Sequence, residues 1–99
     1  MDISVEELKE RLDKGENLPL LDVRNPDEYE VQNIGAKLIP LGDLADRLDE
    51  IEDWKDEEVI VHCRSGKRSA TAQQIMEQAG FTNVRNLTGG MLAWNEMDD

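Results

Sequence analysis

Short apolar runs alternate with segments of helical periodicity along this chain, and this alternation constrains its fold more than any other feature. The apolar runs lie at residues 18–23, 36–41, 59–62 and 83–87. Strands that alternate with helices form parallel sheets with right-handed crossovers, and the helices cover both faces of the sheet. We therefore expect an α/β fold with three layers, in which a central, mainly parallel sheet lies between helices.

The predicted helices are recognised by the capping residues and glycines at their ends. Ser4 and Glu7 have the spacing of a capping box, and the helix that follows can end at Gly15. Further helices are predicted at residues 25–29, after Gly42, from residue 69 to 80, and after residue 90.

The segment after Gly42 is predicted to form one helix with a buried stripe of Leu44, Leu48 and Ile51. Its acidic residues should face water. They are Asp46, Asp49, Glu50 and Asp53.

The length of 99 residues suits a single domain over residues 1–99. No apolar run is long enough to cross a bilayer, and residues 1–7 lack the basic and apolar segments of a secretory signal. We therefore expect a cytoplasmic protein that does not span a membrane. With one histidine and one cysteine, the chain is expected to hold no metal and to need no cofactor.

The formal charge of −12 is unevenly distributed. Residues 1–58 contain 19 of the 23 acidic and 7 of the 11 basic residues, so the excess lies entirely in this part. Such a charge argues against nucleic acid as a partner, since phosphate binding depends on basic side chains. The acidic segment 43–58 is either a solvated surface or a docking surface for a basic partner.

The segment that carries chemistry is residues 59–69, VIVHCRSGKRS, which predicts a strand, a cysteine, a short loop and a helix start. A tight loop entering a helix can direct several backbone N–H groups at one anion. Three cations, Arg64, Lys67 and Arg68, should further lower the pKa of the Cys63 thiol below its free value of about 8.5. His62 is a poor base for Cys63, because adjacent strand residues point to opposite faces.

Four ordered motifs resemble the rhodanese homology domain: LDVRNPDEY at 21–29, IGAKLIPL at 34–41, the loop after Cys63, and LTGGMLAW at 87–94. The resemblance implies a sulfurtransferase in which Cys63 takes sulfane sulfur from a donor such as thiosulfate, as a persulfide. Cyanide, a thiol or a protein would then accept the sulfur. The family's histidine in the middle motif is replaced here, and one position is missing.

By the same resemblance, the loop after Cys63 is the substrate-binding element, and its amides would hold the sulfur. Its residues are Arg64, Ser65, Gly66, Lys67, Arg68 and Ser69. The functional hypothesis for Arg24 is that it orients this loop or meets the substrate, and the alternative is a structural ion pair with Asp22. Trp94 and Met91 are expected to pack in the core, beside the pocket mouth.

Two other functions share this pattern. Dual-specificity phosphatases of the same fold also use a loop cysteine and arginine, but with five residues between them, whereas Cys63 and Arg68 are separated by four. Some rhodanese-type domains serve only as binding or regulatory modules, and these usually lack the cysteine. The physiological donor and acceptor are left open by the sequence.

Overall fold

Within residues 2–97, which the computed structural model describes, the apolar runs form a parallel four-stranded sheet in the order β2-β1-β3-β4. The strands are β1 (Leu20–Asp22), β2 (Lys37–Leu38), β3 (Glu58–His62) and β4 (Asn83–Asn86). In the centre of the sheet, Val61 of β3 pairs with Leu21 of β1 and with Asn86 of β4. The predicted α/β fold with a parallel sheet is confirmed.

The helices occupy the predicted segments, with some changes at their ends. They are α1 (Val5–Asp13), α2 (Pro26–Val31), α3 (Leu41–Leu44), α4 (Lys67–Gln78) and α5 (Gly90–Met97), with a 3₁₀ helix (Leu48–Trp54) before β3. The capping box of α1 forms as predicted, since Ser4 Oγ accepts the Glu7 N–H at 3.1 Å. No helix in residues 2–97 is long and apolar enough to cross a bilayer. Met1, Asp98 and Asp99 lie outside the described residues.

Two apolar clusters cover the two faces of the sheet, which explains why β3 is buried on both sides. On one face, Val59 and Val61 pack with Met76 of α4 and with residues of α3 and the 3₁₀ helix. On the other face, Ile60 packs with residues of α1, and Trp94 of α5 covers this cluster from outside. The predicted layers of helix, sheet and helix are therefore present.

The prediction of one continuous helix after Gly42 is wrong, although its apolar stripe packs as expected. The segment is divided between α3 and the 3₁₀ helix, and Ile51 has non-helical dihedral angles of −120° and 22°. Leu44 and Ile51 are still buried, and the four acidic residues are exposed. In a continuous α-helix those acidic residues would repel one another at spacings of three and four, which disfavours that conformation.

The helix after the cysteine loop begins at Lys67, two residues earlier than predicted. Gly66 is the N-cap and has a φ of 106°, a left-handed conformation that glycine adopts without steric cost. Ser69 is therefore the third residue of α4 rather than its start. The loop between Cys63 and α4 is therefore two residues shorter than the sequence indicated.

The start of α5 closes over the cysteine loop. The Met91 N–H donates to the Cys63 carbonyl at 2.9 Å, and the Leu92 N–H donates to the Arg64 carbonyl at 3.0 Å. Gly90 has a φ of 54°, and a Cβ atom there would collide with the Cys63 carbonyl and lie 2.6 Å from that of Arg64. Gly90 is therefore required by close backbone approach as well as by its conformation.

Replacing Gly90 by alanine is expected to destabilise the protein by about 2–4 kcal/mol, because overpacking adds to left-handed strain. Gly42→Ala is the matched control, since a Cβ atom at Gly42 meets nothing within 4 Å. The control should change the free energy of unfolding by less than about 1 kcal/mol. Urea unfolding of both variants measures the difference, and equal effects would contradict the role assigned to Gly90.

Candidate active site

Cys63 follows β3 at the carboxyl end of the sheet, as predicted, and its side chain is fully buried. Its Sγ atom accepts the Gly66 N–H at 3.1 Å and the Ser69 N–H at 3.4 Å. The Ser69 Oγ atom also lies 3.4 Å from Sγ. Backbone N–H groups from the loop and from the first turn of α4 thus meet at the sulfur atom.

This geometry favours the thiolate. Burial alone would raise the pKa of the Cys63 thiol, but hydrogen bonds from Ser69, Gly66 and Ser65 outweigh it, so the pKa is lowered. The direction agrees with the sequence prediction. Its leading causes are hydrogen bonds at the loop and helix start, which the sequence also suggested, rather than the neighbouring cations.

Arg68 is not one of the free cations that the sequence predicted. Its guanidinium group donates two hydrogen bonds to the Glu28 carboxylate of α2, at 2.7 and 2.9 Å. Arg68, together with the Asn25 N–H, lowers the pKa of Glu28 to about 2 against the effect of burial. The pair therefore stays charged at neutral pH and ties α2 to the start of α4.

The remaining loop residues form the outer surface of the site. Arg64, Ser65 and Lys67 are exposed, and within residues 2–97 neither Arg64 nor Lys67 forms an ion pair. The charge that these two residues present to an approaching molecule is therefore not neutralised by a neighbour.

A cleft of about 310 Å³ lies beside the loop, between α2 and α5. Among the predicted site residues, Arg24 and Arg64 line it, and so does Met91, which was expected near the pocket mouth. Its wall includes Val31 and Leu92, which are the large apolar side chains most exposed in residues 2–97. The cleft thus combines apolar surface with the exposed guanidinium of Arg64.

Arg24 forms the structural ion pair that the sequence left as one of two possibilities. Its guanidinium donates to the fully buried Asp22 carboxylate, at 2.8 Å from Nη2 and 3.0 Å from Nε. The same Nη2 donates to the Gln32 carbonyl at 2.8 Å, which anchors the end of α2. Contact between Arg24 and a substrate stays a prediction.

His62 lies on the opposite face of β3 from Cys63, as the strand alternation predicted. Both of its ring nitrogens are buried without a hydrogen bond in the described part of the chain, and Nε2 is 3.8 Å from Asp22 Oδ2. Burial lowers the pKa of His62, against the opposing effect of Asp22. A neutral imidazole in this position packs beside the site and does not act on the thiol.

Glu28 and Asn86 are parts of the site that were not predicted from the sequence. Asn86 is 7% exposed, and its amide group bonds both Ser69 Oγ and the Gly66 carbonyl. The available signal was a polar residue two positions after Val84, on the same face of β4, directly before the LTGG motif. Glu28 gave no comparable signal, because an acidic residue in the first turn of a helix is ordinary.

Comparison with known proteins gives the same family over nearly the whole chain. The rhodanese-like domain family matches residues 4–97. A sulfurtransferase of Allochromatium vinosum is 38% identical over 94% of this chain and 86% of its own length. The human single-domain sulfurtransferase TSTD1 has a TM-score of 0.86 at 28% identity, with 99% of this chain and 97% of that chain covered.

Some relatives are longer than this chain. The putative sulfur carrier protein YrkF of Bacillus subtilis is 39% identical over 94% of this chain, which spans 50% of that relative's length. The match to the family nevertheless includes the cysteine loop and all four strands. On these comparisons, the chain belongs to the family of rhodanese-like domains.

Proposed function

We propose that this chain is a sulfurtransferase in which Cys63 carries sulfane sulfur as a persulfide. The proposal rests on one observation: the Gly66 and Ser69 N–H groups both donate hydrogen bonds to Cys63 Sγ. Hydrogen bonds of this kind stabilise an anionic sulfur, whether it is the attacking thiolate or the persulfide that it forms. Named sulfurtransferases among the relatives support the same reaction class.

The reaction proceeds in two displacements that are redox-balanced. The Cys63 thiolate attacks the sulfane sulfur of thiosulfate, the S–S bond of the donor breaks, and sulfite leaves with the electron pair. Cyanide or an acceptor thiolate then attacks the outer sulfur of the persulfide. The bond from that sulfur to Sγ breaks, and the Cys63 thiolate is restored.

The donor must approach from the outer surface of the loop, because Cys63 itself is fully buried. Exposed Arg64 and Lys67 attract a small anionic donor to this surface. Cys63 is the only cysteine of the chain, so the sulfur must leave to an external thiol or other nucleophile. A thiol or a protein acceptor in the cytoplasm would serve, approaching through the cleft between α2 and α5.

The paired Arg68 argues against the phosphatase alternative. A phosphate bound in such a loop needs the loop arginine for its oxygens, and here that guanidinium is held by the Glu28 carboxylate. The retained Cys63, with its lowered pKa, argues against a module that only binds. Neither alternative has an observation in its favour.

Steady-state kinetics with thiosulfate and cyanide test the proposal directly. The parent protein should form thiocyanate, and Cys63→Ser should reduce the rate to that of the uncatalysed reaction, because an alcohol cannot form the persulfide. The thermal midpoint of Cys63→Ser serves as the control for folding. Turnover by a folded Cys63→Ser variant at the parent rate would exclude Cys63 as the sulfur carrier.

Removing either exposed loop cation should weaken donor binding. Arg64→Ala and Lys67→Ala are each expected to raise KM for thiosulfate by about two- to fivefold at low salt, through lost Coulomb attraction. Lys14→Ala is the matched control, since Lys14 is an exposed cation at the end of α1. The increase in KM should shrink as salt is added. A KM unaffected in both loop variants, or raised equally in the control, would contradict this role.

A further inference from the structure

The side chain of Asn86 joins β4 to Gly66 and Ser69, whose N–H groups donate to Cys63 Sγ. Its Nδ2 donates to the Gly66 carbonyl at 3.1 Å, and its Oδ1 accepts the Ser69 hydroxyl at 2.6 Å. Gly66 and Ser69 are the residues whose N–H groups lie 3.1 and 3.4 Å from Sγ. The buried side-chain amide of Asn86 thus bonds both Gly66 and Ser69 beside the sulfur.

The orientation of the Asn86 amide follows from its partners. The Gly66 carbonyl can only accept, so the NH₂ group of Asn86 must face it, and Oδ1 must face Ser69. Oδ1 can only accept, so the Ser69 hydroxyl donates its single hydrogen to Asn86. The 2.6 Å bond to Asn86 therefore competes with the 3.4 Å contact between Ser69 Oγ and Sγ, whereas the backbone N–H groups donate to Sγ without this competition.

Asn86 is itself held firmly by the sheet. Its carbonyl accepts the Ile3 N–H at 3.0 Å, and it pairs with Val61 of β3, the strand that leads to Cys63. Gly66, by contrast, is a left-handed N-cap in a loop that is exposed on its outer side. Asn86 therefore connects the partly exposed cysteine loop to the buried sheet.

We propose that Asn86 is a positioning residue, which fixes the Gly66 and Ser69 amides on Cys63 Sγ and thereby keeps this thiol reactive. The inference rests on Cys63 being the reacting group of the proposed function. The thiol can be titrated without any sulfur transfer, however, so the two claims fail separately. The titratable or charged groups around the loop are Asp22, Arg24, Glu28, His62, Arg64, Lys67 and Arg68, and none of them hydrogen-bonds the Asn86 side-chain amide. Asp2 Oδ1 accepts the Asn86 backbone N–H at 3.3 Å.

The test is the pH dependence of Cys63 alkylation by iodoacetamide in the parent and in Asn86→Ala. The parent midpoint should lie below the free thiol value of about 8.5. Asn86→Ala should raise it by about one unit, which slows alkylation about tenfold at a fixed pH below both midpoints. In thiosulfate kinetics the same variant should lower kcat and leave KM nearly unchanged, because the amides act on the sulfur rather than on donor capture.

Val84→Ala is the matched control, since Val84 is a buried residue of the same strand, two positions earlier, whose apolar side chain forms no hydrogen bond with Gly66 or Ser69. It should lower stability and leave the alkylation midpoint unchanged. Asn86→Ser, which is too short to bridge Gly66 and Ser69, replaces Asn86→Ala if that variant does not fold, with the same expected shift.

Three results would overturn the inference. The first is an unchanged midpoint in a folded Asn86 variant, and the second is an equal rise in Val84→Ala. The third is a lowered midpoint, which would mean that Asn86 withholds the Ser69 hydroxyl from Sγ instead of positioning the amides. If the parent protein shows no sulfur transfer, the proposed function is wrong, but the alkylation midpoints still test the role of Asn86.

Discussion

The backbone of the segment from Cys63 to Ser69 has hydrogen-bond partners on two sides, and the site depends on this arrangement. The N–H groups of Gly66 and Ser69 point to Cys63 Sγ, while the carbonyls of Cys63 and Arg64 accept N–H groups at the start of α5. Buried backbone groups need such partners, so the loop cannot reorganise without losing several bonds together. Left-handed Gly66 and closely packed Gly90 are what allow the chain to take this path.

Charge around the site is largely neutralised within the fold. Arg24 is paired with Asp22, and Arg68 with Glu28, so these guanidinium groups hold α2 and α4 against the end of the sheet. The Gly66 and Ser69 N–H groups are placed to stabilise negative charge at Cys63 Sγ, and they need no reorganisation when that charge develops. Arg64 differs from Arg24 and Arg68, because it is exposed and its charge can attract molecules that enter the cleft.

The sequence predicted the strand, cysteine, loop and helix because these depend on neighbouring residues and on periodicity. It could not predict the partner of Arg68, since Glu28 is distant in the chain and approaches only through the order of the strands. Asn86 reaches the loop for the same reason, through the pairing of β3 with β4. The 3₁₀ helix was missed because the spacing of three between Leu48 and Ile51 suits a 3₁₀ helix as well as an α-helix.

The central claim is that Cys63 carries one sulfur atom in this loop. Intact mass of the protein after incubation with thiosulfate tests it most directly. The account predicts a gain equal to the mass of one sulfur atom, which cyanide or dithiothreitol removes and which Cys63→Ser does not acquire. No gain in mass on a free, reduced thiol, or an equal gain in Cys63→Ser, would contradict the account.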